Sequence, residues 1–203
     1  MVNNDFKKMQ IIAFALLVIF FAFSAGCTGS ENPAPAQSGQ QQTGDVQSSS
    51  ETASKTSVTA VHNSKLKEFL PTATNNWESS DASGFQMDTD EFSWSWASKT
   101  YTQKLGGEAV VDVIIQDTAG EYVGYMESWD TNIEVETPDL TMKKTTVQGY
   151  PGWIINDKTE NEIAQIVNVK DRFFVYTAVS DGKEDYLTVF NNQLNLKGLS
   201  ALA

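Results

Sequence analysis

Catalysis and metal binding depend on side chains that titrate, ligate or attack, and this chain has few outside its carboxylates. It carries one cysteine, Cys27, one histidine, His62, and one arginine, Arg172, against 26 acidic residues. His62 stands apart from residues 64–203, so that stretch holds no Ser-His-Asp triad, no Cys-His nucleophile and no histidine-rich zinc site. A lone cysteine also excludes an internal disulfide. Neither a P-loop nor a Gly-x-Gly-x-x-Gly pattern is present. Carboxylate chemistry remains, because glycosidases need only two acids about 5 to 10 Å apart. Asp112, Asp117, Glu121 and Glu127 are the candidates. Asp112 alternates with Val111 and Val113, which is the pattern of a solvent-facing strand position.

Two further groups invite a functional reading. Asp88, Asp90 and Glu91 form a compact acidic set of the oxygen-ligand type that binds calcium, without the glycine and downstream glutamate of the familiar loop. They read as a solvated turn, as does the acidic run Glu134 to Asp139. Trp94, Trp96 and Trp153 could form a stacking platform for sugar rings or peptide aromatics. Phe92, Trp94 and Trp96 alternate with serines, however, and one apolar face of a strand is what a core requires, so they read as core. Arg172, beside Asp171, reads as a turn salt bridge of little worth when exposed. These residues give no catalytic assignment, no cofactor and no enzyme.

The environment of Cys27 is more specific. Lys7 and Lys8 precede 13 apolar residues, Ile11 to Phe23, followed by Ser24-Ala25-Gly26-Cys27. Charge, apolar run and small residues in that order form a secretory signal. Ala25-Gly26-Cys27 resembles the lipobox of prokaryotic lipoproteins. The resemblance implies a signal peptide over 1–26 and a lipid on the Cys27 thiol. Stable anchoring takes two or more acyl chains, which a diacylglyceryl-type group supplies. The alternative is an uncleaved helix: Met9 to Gly26 spans about 27 Å, just under the roughly 30 Å hydrocarbon core. Positive-inside orientation places the remainder outside the cytoplasm in either case.

Residues 27–63 continue as a tether of Ser, Thr, Gln, Gly, Ala and Pro that lacks the apolar surface to offset the entropy of ordering. Its r.m.s. span as a flexible coil is about 30 to 35 Å. The formal charge of -12 disfavours nucleic acid and anionic membrane surfaces as direct partners. The expected partners are the membrane, through the lipid on Cys27, and an envelope protein or glycan.

Residues 64–203 are of single-domain size. Ser64 is placed to cap a helix over Lys65 to Leu70, with Pro71 ending it. A strand through Phe92, Trp94, Trp96 and Tyr101, the turn Gly106-Gly107 and a strand from Ala109 to Gln116 predict a hairpin. Thr118 and Glu121 have capping-box spacing for a helix through Trp129. Met142 to Gln148, Gly152 to Asn156, Ile163 to Val169 and Phe173 to Val179 predict an antiparallel meander. Asp181 and Glu184 open a last helix carrying Tyr186, Leu187, Val189, Phe190 and Leu194. The expected fold class is α+β: about six mostly antiparallel strands, with a helix before, between and after them.

Several features occur in sequence order: Leu70-Pro71, Tyr101 before a strand ending in Gln116-Asp117, Gly149-Tyr150-Pro151-Gly152, Asp171-Arg172-Phe173-Phe174-Val175 and Leu194-Asn195-Leu196. Together they resemble short archaeal and bacterial envelope lipoproteins of unknown function. The element order is distantly similar to the PsbP-type α/β/α sandwich, which implies binding and assembly roles rather than catalysis. The functional expectation is therefore a lipid-anchored extracytoplasmic protein with a non-catalytic binding or scaffolding domain. The alternatives are a carboxylate enzyme acting on glycans, or a ligand-capturing lipoprotein.

Overall fold

A computed structural model describes residues 58–203 except 75, 91, 121–128 and 130–133. Signal, Cys27 and most of the tether lie outside the described residues. The described residues belong to one compact unit, Lys55–Ala203. Nine strands form a single sheet in which every pairing is antiparallel. In chain order the strands are β1 Trp77–Ser79, β2 Ser83–Asp88, β3 Ser93–Gln103, β4 Val110–Asp117, β5 Val135–Glu136, β6 Leu140–Val147, β7 Tyr150–Asp157, β8 Glu162–Val169 and β9 Phe173–Ser180. Three short helices accompany them: α1 Asn63–Lys67, α2 Asp185–Asn191 and α3 Leu196–Ser200.

The α+β expectation is corrected here. Strand makes up 47% of the described residues and helix 13%, which is a β-rich fold. The strands β1, β2 and β5 add to the six expected. Asn195 helps make the helices short: its side chain accepts from the Gly198 N–H and starts α3, so the last helical stretch breaks into two. The first helix starts earlier than the spacing predicts, because His62 rather than Ser64 is its N-cap. The expected helix after Thr118 falls mostly outside the described residues, and Thr118 itself donates its N–H and hydroxyl to the Arg172 carbonyl.

The sheet order is β1-β3-β4-β9-β8-β7-β6-β5, with β2 beside β1 on the same edge of β3. Strands β6 to β9 form the meander that their short, turn-like separators predict. Between β6 and β7, Gln148 and Gly149 both have positive φ, as a two-residue hairpin turn with the twist of its strands requires. The chain leaves β4 mid-sheet and returns at the far edge as β5.

Residue alternation gives the sheet two faces. Tyr101, Val111, Val113, Ile115, Val167, Val169, Phe173, Val175 and Val179 are buried in the cluster that contains Leu66, Leu187, Phe190, Leu194, Leu196 and Leu199 of the helical segments. This face is the principal core. The Tyr101 hydroxyl donates to the Pro71 carbonyl, and burial pushes the phenol above its ordinary pKa. Asn191 on α2 is held by Gln165 and Thr177 of the sheet, and Gln148 donates to the Asn191 and Leu194 carbonyls. These buried polar groups satisfy one another and fix the helices in place.

Candidate functional site

The aromatic strand β3 points the opposite way from its expected orientation. Ser93, Ser95, Ala97 and Tyr101 are buried on the helix-covered face, and Trp94 and Trp96 sit partly exposed on the second face. The Ser93 and Ser95 hydroxyls account for this reversal. The Ala60 N–H donates to Ser93 Oγ (2.7 Å), and Ser95 Oγ donates to the Val61 carbonyl (2.6 Å). The serines thus hold a strap of extended chain, Val58 to His62, against the inner face, where indoles would leave its backbone groups unpaired.

Asp117, at the end of β4, completes that anchorage. Its carboxylate is fully buried and takes a forked ion pair from Arg172, with Nε and Nη2 each at 2.9 Å. It also accepts the N–H groups of Val61 and Ala119, each at 2.7 Å. Arg172 Nη2 reaches the Thr59 carbonyl as well (3.1 Å). Arg172 is therefore not the solvated turn residue that Asp171 beside it suggested. It joins the β8–β9 turn, the end of β4 and the strap. Planar guanidinium suits this forked geometry, where lysine would offer only a point charge.

The remaining carboxylates are dispersed. Asp88, at the end of β2, accepts from Ser93 Oγ and Gln86 Nε2, and those two bonds hold it below the usual carboxylate range. Asp90 is exposed at the hairpin tip, and Glu91 lies outside the described residues, as do Glu121 and Glu127. Asp112 accepts from Thr100 on the second face. Sequence reasoning missed Glu162, whose oxygens accept from the hydroxyls of Tyr176 (3.2 Å) and Ser180 (3.4 Å). Burial, opposed by those two bonds and reinforced by Asp112 and Asp157, raises its pKa, and burial followed by the Glu162 charge raises that of Tyr176. No group of three or more His, Cys, Asp or Glu among the described residues is placed to hold a metal.

The second face is aromatic. Register pairs Met87 with Trp94 and Phe85 with Trp96, and the Phe85 and Trp94 rings lie 5.8 Å apart. Phe85, Met87 and Phe92 are 44, 37 and 39% exposed. Across the sheet Ile114, Tyr176, Ile166 and Trp153 continue the same face. Trp153 is buried rather than platform-like. The Trp129 ring, on the connection from β4 to β5, stacks on it at 6.1 Å and on Phe174 at 6.2 Å. Beside this stack, Trp129, Lys144, Thr145, Thr146, Pro151 and Gly152 line a shallow groove of about 240 Å³. The indole nitrogens of Trp94 and Trp129 are shielded from solvent and have no hydrogen-bond partner among the described residues.

The three tryptophans singled out from sequence thus share one face, and the part on β2 and β3 is partly exposed among the described residues. The signal for β2 was present in the Phe85-Gln86-Met87 alternation. Among the described residues, no helix is long and apolar enough to cross a membrane. No protein-family model, curated protein or solved structure matches this chain.

Proposed function

We propose that this chain is a lipid-anchored extracytoplasmic protein whose β-rich domain is a non-catalytic interaction module working through the aromatic face of β2 and β3. The observation that carries this reading is the placement of Trp94 and Trp96, with Phe85 and Met87, on the sheet face opposite the helix-covered core. Partly exposed aromatic side chains on one sheet face suit recognition of a partner that supplies apolar contact. Anchorage rests on Ala25-Gly26-Cys27 and the tether, and the non-catalytic assignment on the absence of histidine and cysteine from 64–203.

The test is photo-crosslinking in native membranes from Trp96, replaced by a photoreactive phenylalanine, with Glu136 on the opposite sheet edge as control. Adducts to one reproducible envelope protein or glycan from position 96 alone, lost on Phe85→Ala, support the module. Equal or absent capture from both positions refutes it. Trp96→Ala should lower the thermal transition, since Trp96 is only partly exposed beside β2, so loss of capture is read in variants that remain folded.

A further inference from the structure

The two edges of the sheet are defended unequally. At one edge β5 has two residues, and β6 beside it carries Lys143 and Lys144, both exposed. A very short strand and edge lysines are common guards against pairing with another chain. At the other edge β2 runs for six residues, Ser83-Gly84-Phe85-Gln86-Met87-Asp88, with neither lysine nor proline, and all but Gln86 are exposed. Among the described residues no strand pairs with its outer side. Ladder alternation defines what that side offers. The Thr89 N–H donates to the Phe92 carbonyl at 2.9 Å, so these two are a hydrogen-bonded pair, and every second pair along the register, Met87 with Trp94 and Phe85 with Trp96, is one too. The backbone N–H and C=O groups of Gly84, Gln86 and Asp88 therefore point away from β3.

We infer that β2 pairs antiparallel with β2 of a second copy of this chain, about a two-fold axis through Gln86. This edge contact goes beyond the aromatic-face reading and requires neither Cys27 nor the tether. Centring on Gln86 brings the outward groups into register: Gln86 faces Gln86 of the partner subunit, and Gly84 faces Asp88 of the partner subunit, each as a hydrogen-bonded pair. Centring on Phe85 would carry Asp88 past the end of the partner strand and leave its outward groups unused. Charge fits the same register. Lys67 on α1 has its Cε 2.9 Å from where a Gly84 Cβ would stand, on the helix-covered face that Ala97 shares. Asp88 projects from that face as well, where it accepts from Ser93, so each Lys67 comes beside the carboxylate of Asp88 of the partner subunit. On the second face Phe85 lies opposite Met87 of the partner subunit, an apolar cross-strand pair. Such an isologous contact uses one patch twice. It joins the two aromatic faces side by side and leaves Trp94 and Trp96 uncovered.

The experiment uses the full-length protein in detergent. Sedimentation equilibrium should show a reversible dimer. Gln86→Pro removes an outward N–H without touching the bonds to β3, as proline on an edge strand allows, and should abolish the dimer with circular dichroism unchanged. If that variant unfolds, Gln86→Lys sets two ammonium groups opposite each other at the axis and serves in its place. Lys67→Glu should weaken dimerisation severalfold. Under mild oxidation Gln86→Cys should form an interchain disulfide, because hydrogen-bonded partners lie about 5.5 Å apart at Cα. Leu105→Cys, at the β3–β4 hairpin tip and 78% exposed, should not. Peptide mapping of the bridge at 86 keeps Cys27 out of the readout. A monomer at every concentration, a dimer that the Gln86 variants leave intact, or equal bridging from 86 and 105 overturns the pairing. A monomer in which Gln86→Pro still abolishes photo-crosslinking from position 96 overturns it in favour of a strand from another protein.

Discussion

Replacing Asp117 with alanine should cost the domain several kcal/mol, and the structure says why the number is large for a single carboxylate. The side chain is fully buried, and its partner Arg172 is 12% exposed. Removal strands a largely desolvated guanidinium and frees the N–H groups of Val61 and Ala119. Breaking one member of a buried pair costs about 3–5 kcal/mol, mostly as the penalty on the charge left behind. Replacing both members by apolar residues should cost less than the two single losses added together, because the orphaned charge goes too. The assay is urea denaturation of wild type, Asp117→Ala, Arg172→Met and the double variant. We expect the double variant to lie well above the sum of the singles, with a coupling of about 2–3 kcal/mol, within the range for residues in one network. Cleavage by trypsin after Lys65, just beyond the strap, should be slow in wild type and fast in Asp117→Ala. A loss below about 1 kcal/mol, as for exposed pairs, or additive singles, would refute the reasoning.

Two further substitutions test the second face and the sheet itself. Glu162 has a raised carboxyl pKa, chiefly from burial, so the folded state holds its proton more tightly than the unfolded chain. Its contribution is full below the ordinary glutamate value and is lost as pH rises through the folded value. Glu162→Gln should therefore raise the urea midpoint relative to wild type at pH 7 and leave it little changed at pH 4; the reverse order contradicts this. Gly152 on β7 has no room for a side chain, since an added Cβ would lie 2.6 Å from the Ile166 carbonyl oxygen. Gly152→Ala should destabilise by about 1–3 kcal/mol, the usual cost of overpacking, measured by thermal unfolding; a neutral effect would show that β7 and β8 can separate freely.

Local pattern made part of this molecule legible. The strands β4, β8 and β9 are rich in Val, Ile and Phe, β6 and β7 are bounded by turn residues, and the core face of β4 follows directly from the alternation of Val111, Val113 and Ile115 with Asp112 and Ile114. What failed depended on contacts distant in sequence. The serines of β3 face inward because a strap more than 30 residues earlier needs their hydroxyls, and no periodicity shows that. Asp117 and Arg172 are 55 residues apart, so the ion pair exists only once β4 and β9 are neighbours. Glu162, Tyr176 and Ser180 meet for the same reason, through pairing of β8 with β9. The aromatic residues of the candidate site were recognised individually, while the face they share was assigned to the wrong side of the sheet. Polar β1 and two-residue β5 carry too little apolar pattern to stand out.

Anchorage and the aromatic working face are best tested together by intact mass and peptide mapping of protein crosslinked in its own membranes. We expect a chain beginning at Cys27 with a diacylglyceryl-type mass on its thiol, and adducts confined to peptides containing Phe85, Trp94 or Trp96. A free Cys27 thiol within an uncut N-terminus, with adducts spread evenly over both sheet edges, would contradict the lipid anchor and the aromatic face alike.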